Sequence, residues 1–223
     1  MDFNKARVVG ITTPIVEGCM TAEDLVAYAA RVSNPSNQNA GTSPVGLIKY
    51  LIKHKHWSPF EMVSINVEVE TTRAIARQLL RHRSFSFQEF SQRYADPTKD
   101  LSFVLSEARL QDTKNRQNSI ATDDRELMNI WEEKQREVIS KSIKAYDWGI
   151  ANGLAKEVCR SVLPEGNVVS RLYVHGTLRS WIHYCELRCA NGTQLEHMDL
   201  ARKCWKGLSG YFPIVAEAVE IQT

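Results

Sequence analysis

Residues 81–93 combine side chains that are well suited to hold an anionic, nucleotide-like ligand. The segment reads Arg-His-Arg-Ser-Phe-Ser-Phe-Gln-Glu-Phe-Ser-Gln-Arg, so arginine and histidine lie beside serine, glutamine and glutamate. Arginine keeps its charge in proteins, and its planar fork of donors fits phosphate oxygens and the carbonyl edge of a base. Because like charges in a short segment repel one another, the segment predicts a site for a phosphorylated or nucleotide-like ligand.

The residues just before this segment extend the positive charge. A short helix is predicted over 72–80, and Arg73, Arg77 and Arg81 fall on one face of it at i, i+4 and i+8. Like charges at this spacing destabilise a helix by about 0.2–0.5 kcal/mol per pair. A solvated surface tolerates that cost, whereas a bound anion reverses its sign, and the continuation of charge into residues 81–93 favours the ligand.

A second stretch, residues 54–61, reads His-Lys-His-Trp-Ser-Pro-Phe-Glu. His54 and His56 can bind a metal if a strand places both on one face, but no third and fourth ligands accompany them, so loop hydrogen bonding is the simpler interpretation. Ser58 and Glu61 add a hydroxyl and a carboxylate beside aromatic residues. That combination suits a heterocyclic ligand.

A third group of charged residues lies in the second half of the chain. Arg160 has apolar neighbours in sequence, so we expect it to have a specific anionic partner. Arg179, His183 and Glu186 share one face of a predicted helix, where ligand binding and salt bridges along a surface helix are equally compatible with the spacing. Ser91 is surrounded by basic residues, but no Ser-His-Asp order or Gly-x-Ser-x-Gly elbow identifies it as a nucleophile, so it is interpreted as a hydrogen-bonding residue.

The whole chain has the composition of an ordinary globular protein, and we expect one domain over residues 1–223. It is 43% hydrophobic and 24% charged, with a formal net charge of +2, so the arginines predict a local pocket and not a nucleic-acid-binding face. No apolar run is long enough to span a bilayer, and the first residues contain no apolar signal region. The five cysteines are scattered and predict buried, reduced thiols, so a cytoplasmic location is expected.

Hydrophobic periodicity and turn residues predict a mixed α+β fold that must position these side chains. The alternation over 62–70 predicts a half-buried strand, Thr21 and Asp24 form a capping box in outline, and 95–122 has no sustained period and predicts a flexible insertion or flap. No glycine-rich dinucleotide or phosphate loop is present, so side chains must hold any nucleotide. The other predicted elements are strands over 7–18 and 168–174 and helices over 21–32, 43–54, 123–151, 154–163, 178–189 and 194–208.

The charged segment 81–93 also resembles the signature of a known family. Arg81-His82-Arg83, seven residues, then Ser91, Gln92 and Arg93 resemble the Arg-His-Arg-x7-Ser-x-Arg signature of the flavin-dependent thymidylate synthases, the ThyX family. The resemblance extends from residue 29 through Arg188 to Gln194. It implies methylation of dUMP to dTMP, with 5,10-methylenetetrahydrofolate as the one-carbon donor and with NADPH reducing FAD. It also implies a fold in which an antiparallel sheet packs against helices. It also implies a homotetramer with shared active sites, no enzyme cysteine, no metal, and no nucleic-acid or membrane partner.

The resemblance also assigns residues where the pattern matches. Arg188 and His56 are the implied catalytic residues. The residues implied to bind dUMP are Gln78, Arg81, Glu89, Ser91, Gln92, Arg93, Arg160 and Arg188. The residues implied to contact FAD are Ser33, Ser58, Glu61, Arg81, His82, Arg83, Glu89, Arg179, His183 and Leu187.

Two positions depart from the family pattern, and two other functions remain open. Thr177 replaces an asparagine of many members, and Gly192 occupies the region of a flavin-contacting histidine. A nucleotide or nucleic-acid binding module that uses the Arg81–Arg93 loop without turnover would show strongly salt-dependent binding. A metal enzyme built on His54 and His56 would retain metal after purification.

Overall fold

The computed structural model describes residues 3–38 and 42–221 as one mixed α+β unit. The ends of the predicted domain, residues 1 and 223, lie outside the described residues. The strands are β1 Lys5–Ile11, β2 Ser64–Thr72, β3 Ser86–Glu89, β4 Arg109–Gln111, β5 Ser119–Ala121 and β6 Val169–Thr177. The helices are α1 Ala22–Ala30, α2 Pro35–Gln38, α3 Val45–Lys53, α4 Arg73–Leu79, α5 Pro97–Asp100, α6 Arg125–Ala151, α7 Lys156–Cys159, α8 Leu178–Cys189, α9 Leu195–Ser209 and α10 Pro213–Ala218. Short 3-10 turns cover Arg31–Ser33, Ser58–Met62 and Arg160–Val162.

The central sheet has four antiparallel strands in the order β1-β2-β6-β3. Strand β2 carries the predicted alternation, because Ile65, Val67 and Val69 are buried while the residues between them contact solvent. The paired strand β6 buries Leu172 and Val174 on the same face. The prediction of a half-buried strand over 62–70 is therefore confirmed, as is the antiparallel α+β class.

The buried face of the sheet packs against helices α8 and α9. Trp181 and Ile182 of α8 and Leu208 of α9 are fully buried in this core. Gly176 in β6 is required here, because a Cβ at that position would lie 2.2 Å from the ring of Phe85. The ring centroids of Phe85 and Trp181 lie 4.5 Å apart. This contact anchors the chain directly after the Arg81–Arg83 segment against the core.

The other face of the sheet is polar and is held by cross-strand ion pairs. Glu70 of β2 pairs with Lys5 of β1 and with Arg171 of β6, and Glu68 pairs with Arg7 and accepts from the hydroxyl of Tyr173. Cross-strand pairs of opposite charge contribute modestly to sheet stability. This face therefore accounts for several charged residues without invoking a ligand.

The segment 95–122, which is predicted to be a flexible insertion or flap, contains short regular elements. It contains helix α5, an isolated bridge between Phe103 and Val168, and the β4–β5 hairpin. Its short strands have no buried alternation, since residues 119–121 are all exposed, and this is why periodicity did not reveal them. Strand β3 and helix α10 were also missed, because four and six residues are too few for a hydrophobic period to stand out.

Helix α6 separates its apolar residues into two groups. Tyr146 is fully buried, whereas Leu127, Ile130, Trp131 and Val138 are between 40% and 51% exposed. Only part of the predicted apolar stripe is therefore buried in the core. The rest of the stripe forms an open apolar surface. Within the described ranges, no helix is both long enough and apolar enough to cross a bilayer.

Candidate active site

The end of helix α8 meets the segment after helix α4 through one hydrogen bond. Nε of Arg188 donates to Nε2 of His82 over 2.9 Å. Arginine only donates, so Nε2 of His82 carries no proton and the imidazole is neutral. Burial, and then the positive charge of Arg188, lower the pKa of His82 to about 4. Two residues predicted from separate stretches therefore form one contact.

Gln78 on helix α4 is held at both ends of its amide. Its Nε2 donates to Oε1 of Gln194 over 2.7 Å, and its Oε1 lies 3.2 Å from Nδ1 of His197. His197 is fully buried, and burial, then the charges of Arg188 and His82, lower its pKa to about 3. Sequence reasoning missed His197, although the helical spacing of His197, Leu200, Ala201 and Cys204 in α9 indicates a core position.

A second cluster joins the 54–61 stretch to the start of helix α8. NH1 of Arg179 donates to Oε1 of Glu61 over 2.7 Å, and Thr177 Oγ1 donates to the other carboxylate oxygen over 2.8 Å. The rings of Trp57 and His183 lie edge to face at 5.0 Å. The salt-bridge interpretation required Arg179 to pair along its own helix. Arg179 instead pairs with Glu61 of a different element. Four predicted FAD residues, Ser58, Glu61, Arg179 and His183, lie on these two adjoining elements.

A third cluster contains the end of the arginine motif. NH2 of Arg93 lies 3.0 Å from a carboxylate oxygen of Glu157, one helical turn before Arg160. Gln92 is 4% exposed, and its side-chain amide nitrogen has no hydrogen-bond partner among the described residues. A buried amide without an acceptor is costly, so this position favours a ligand oxygen or a water.

Glu89 and the arginines of helix α4 form a set of ion pairs. Glu89 Oε1 lies 3.1 Å from NH1 of Arg73 and accepts from the hydroxyl of Ser170, while Arg77 pairs with Glu165. The predicted repulsion along α4 is thus relieved by carboxylates at its first two arginines. In contrast, Arg81 has no carboxylate partner within the described part of the chain, and the same holds for Arg83 and Arg160. Positive charge without a carboxylate partner therefore remains at Arg81 and Arg83 in the motif and at Arg160.

Ser33, His56, Ser58 and Leu187 are predicted site residues whose side chains contact none of these clusters by a hydrogen bond within residues 3–38 and 42–221. Ser33 is exposed at the end of a 3-10 turn, and Ser58 begins the next such turn. His56 is exposed with its ring 6.0 Å from Tyr50, and Leu187 is 57% exposed. Their predicted roles stay predictions.

The structure gives physical reasons for both departures from the family pattern. Thr177 caps helix α8 by accepting from the backbone N–H of Ser180, in addition to its contact with Glu61. Gly192 has φ +90, and a Cβ there would lie 3.1 Å from Oε1 of Gln117. A side chain at 192 would therefore be strained and would meet the β4–β5 hairpin.

The cysteines and the pair His54 and His56 are the other candidates for chemistry in this chain. Cys159, Cys185, Cys189 and Cys204 are buried and unpaired, and burial raises the pKa of Cys185 well above its usual value. The rings of His54 and His56 lie 6.1 Å apart, and the residues that the model describes contain no cluster of three or more possible metal ligands.

The chain is similar to known proteins over most of its length. The family model described as thymidylate synthase complementing protein matches residues 15–214. The probable flavin-dependent thymidylate synthase of Paramecium bursaria Chlorella virus 1 is 47% identical over 215 residues, which are 96% of this chain and 98% of the relative. The flavin-dependent thymidylate synthase of Synechocystis sp. is 45% identical over 217 residues, again 96% and 98% of the two chains.

A solved structure shares the fold. The UMP/dUMP methylase PolB from Streptomyces cacaoi, bound with 5-Br dUMP, superposes with a TM-score of 0.80 at 26% identity, covering 96% of this chain and 93% of that chain. The family model and the two relatives match nearly all of this chain, including the Arg-His-Arg motif. This chain therefore belongs to the flavin-dependent thymidylate synthase family.

Proposed function

We propose that this enzyme methylates dUMP to dTMP, with 5,10-methylenetetrahydrofolate as the one-carbon donor and NADPH as the reductant through FAD. The observation that carries the proposal is the contact between Arg188 and His82. A neutral imidazole fixes the position of the guanidinium and leaves its charge in place, whereas a carboxylate would neutralise that charge. Arg188 therefore keeps its full charge for a pyrimidine oxygen that becomes negative in the transition state.

The nucleotide would be held mainly by the arginines that lack carboxylate partners. Arg81 and Arg160 have none within the described residues, and Ser91, Gln92 and Arg93 of the same motif as Arg81 would supply further donors. The unpaired amide nitrogen of Gln92 supports a ligand oxygen at this place. Guanidinium groups and hydroxyls are the donors that a 5′-phosphate requires. In this proposal, Arg93 either leaves its partner Glu157 for the phosphate or contacts both when the phosphate binds.

The donor set near Glu61 fits a flavin nucleotide. His183 lies against the Trp57 ring, while Glu61 holds Arg179 and is itself held by the hydroxyl of Thr177. The remaining residues of the proposed FAD set are Ser33, Ser58, Arg81, His82, Arg83, Glu89 and Leu187. Bound FAD would supply the reducing equivalents that the transferred one-carbon unit needs to become a methyl group.

No cysteine nucleophile is part of this mechanism. Burial raises the pKa of the thiols of Cys185, Cys189 and Cys204, which leaves them protonated at neutral pH. Activation of the uracil would instead come from the charge of Arg188, with His56 assisting near the flavin and folate. The reduced thiols also support a cytoplasmic location.

We further propose a homotetramer whose active sites combine residues from neighbouring subunits. Two observations support it. The open apolar surface of helix α6, formed by Leu127, Ile130, Trp131 and Val138, is left 40% to 51% exposed by the described residues of the single chain. The clusters around Arg188, Glu61 and Arg93 are also separate sets of contacts, and assembly would let different subunits complete one site.

The test is a reconstitution of the purified protein with its proposed ligands. We expect a yellow protein that forms dTMP from dUMP only when methylenetetrahydrofolate and NADPH are both present. Replacing dUMP by UMP separates a thymidylate synthase from an enzyme with the broader substrate range named for PolB. Colourless protein that cannot be loaded with flavin, or salt-dependent polynucleotide binding without turnover, would overturn the proposal.

A further inference from the structure

A chain of polar side chains connects the β4–β5 hairpin to Gln78. NH2 of Arg109 donates to Oε1 of Glu196 over 2.5 Å, Nε2 of Gln194 donates to Oε2 of the same carboxylate over 2.9 Å, and Gln78 donates to Gln194. Beyond Gln78, Nδ1 of His197 lies 3.2 Å from the amide oxygen. The chain thus runs from a hairpin strand, through the first turn of helix α9, to helix α4.

The carboxylate of Glu196 sets the direction of every bond in this chain. A carboxylate only accepts, so Gln194 must turn its NH2 group to Glu196 and its oxygen to Gln78. Gln78 must then turn its NH2 group to Gln194 and its oxygen to His197, which fixes the proton of His197 on Nδ1. Reversing either amide would place two acceptors against each other, at 2.9 Å in the case of Gln194 and Glu196.

The anchor of the chain is buried and doubly held. The side chains of Arg109 and Glu196 are only 13% and 7% exposed. Arg109 also donates through Nε to Oγ of Ser119 across the hairpin, and the backbone oxygen of Glu196 accepts from the amide of Asn4. Arg109 and Gln194 both line a cavity of about 460 Å³ between the hairpin and the turn before α9.

We propose that Glu196, held by Arg109, is a positioning residue that orients the amide of Gln78 through Gln194 and so prepares it to bind dUMP. The inference rests on the proposed function, because Gln78 is assigned to dUMP only there. The two contacts of Gln78 use one N–H and one lone pair, which leaves one donor and one acceptor in a fixed arrangement for the nucleotide. A preorganised amide binds more tightly than one that must turn.

The experiment compares dUMP binding by calorimetry in the flavin-loaded wild type and three variants: Gln194→Met, Glu196→Gln and the double variant. Gln194→Met is the principal variant, because Gln194 is exposed and the change does not touch the buried ion pair. We expect each single change to weaken dUMP binding about tenfold, the effect of losing one oriented hydrogen bond. The double variant should bind no more weakly than Glu196→Gln, and kcat at saturating dUMP should change less than KM.

Glu165→Gln is the matched control. Like Glu196→Gln, it removes one negative charge. Glu165 pairs with Arg77, the neighbour of Gln78 on helix α4, and lies outside the chain of contacts. We expect wild-type dUMP affinity. Wild-type affinity in Gln194→Met, or losses in the two single variants that multiply to about 100-fold in the double variant, would overturn the positioning role.

Imidazole nitrogen NMR separates this proposal from the proposed function. The Nδ1 proton of His197 can be observed without dUMP, and Gln194→Met should change its signal. If the wild type binds no dUMP but this coupling is present, the proposed function fails while the orienting chain stands. If dUMP binds and the His197 signal is unaffected by Gln194→Met, the orienting chain is refuted.

Discussion

Arg188 and His82 lie 106 residues apart in sequence, yet Nε of Arg188 donates to Nε2 of His82 over 2.9 Å. The contact has a definite electrical consequence. Because the imidazole is neutral, the guanidinium is oriented but not neutralised. A carboxylate in the place of His82 would fix Arg188 equally well and would remove much of the field that a reacting pyrimidine needs.

The first prediction concerns Arg188 itself. Arg188→Ala should lower the rate of dTMP formation by at least about 100-fold, because it removes the charge that we propose to act on the pyrimidine, while flavin remains bound. Steady-state turnover and the flavin absorbance of the same preparation measure the two effects. Arg171→Ala is the control, since Arg171 pairs with Glu70 on the polar face of the sheet, and its activity should be close to wild type. Near-normal turnover in Arg188→Ala would refute the assigned role.

A second prediction follows from the buried histidines. The pKa values of His82 and His197 are about 4 and about 3 in the fold, below the usual value of 6.5, so the unfolded chain binds more protons at mildly acidic pH. The free energy of unfolding should therefore be highest above about pH 6.5 and should fall as the pH falls towards 4, by up to about 1.4 kcal/mol per pH unit for the fully buried His197.

Thermal unfolding at pH values between 7 and 4.5 measures this effect. His197→Gln removes one of the titrating groups and should give a flatter dependence of the melting temperature on pH. Parallel curves for the wild type and His197→Gln would contradict the prediction.

The third prediction concerns Thr177, the residue that replaces the asparagine of many family members. Thr177→Ala removes the cap of helix α8 and the hydrogen bond to Glu61, so we expect a loss of about 1 kcal/mol in stability and weaker flavin retention. Thr177→Ser keeps the hydroxyl and should retain most of both. Chemical denaturation and the flavin content after dialysis distinguish them. Equal flavin content in the two variants would argue against a role for Thr177 in orienting Glu61 and Arg179.

The fourth prediction concerns assembly through helix α6. Val138 is 51% exposed within the open apolar surface, and Val138→Glu should lower the oligomeric state because it would bury a charge. Ser140→Glu adds the same charge two residues on, about 200° around the helix, and should leave assembly intact. Light scattering on eluted protein gives the mass of each species. A wild-type mass for Val138→Glu would exclude this surface as a subunit interface.

Local patterns were sufficient for several elements. The alternation over 62–70 predicted the inner strand β2, and the pair Thr21 and Asp24 predicted a capping box that the structure contains. Helix α8 begins and ends at the predicted residues 178 and 189. These features depend on neighbours within a few residues, which is the range over which sequence patterns act directly.

Short and edge elements were less predictable. Strand β3 lies inside the arginine motif and pairs Phe87 with Val174 of β6, but its four residues have no run of alternation long enough to stand out. The hairpin at 109–121 has exposed strands, so burial left no signal in its sequence. The buried His197 was missed because an isolated histidine in a helix indicates no partner by itself.

The sequence by itself determined the chemistry of this protein. The spacing of Arg81, His82, Arg83, Ser91 and Arg93 is a local property of the chain and identifies the family. The tertiary structure alone decided which partner each charge has. Arg73 and Arg77 are paired with carboxylates, Arg81 has no carboxylate partner among the residues described, and Gln78 contacts His197, 119 residues away. The physical reason is that ion pairs and oriented hydrogen bonds depend on distances through space, which the packing of α4, α8 and α9 against one sheet sets.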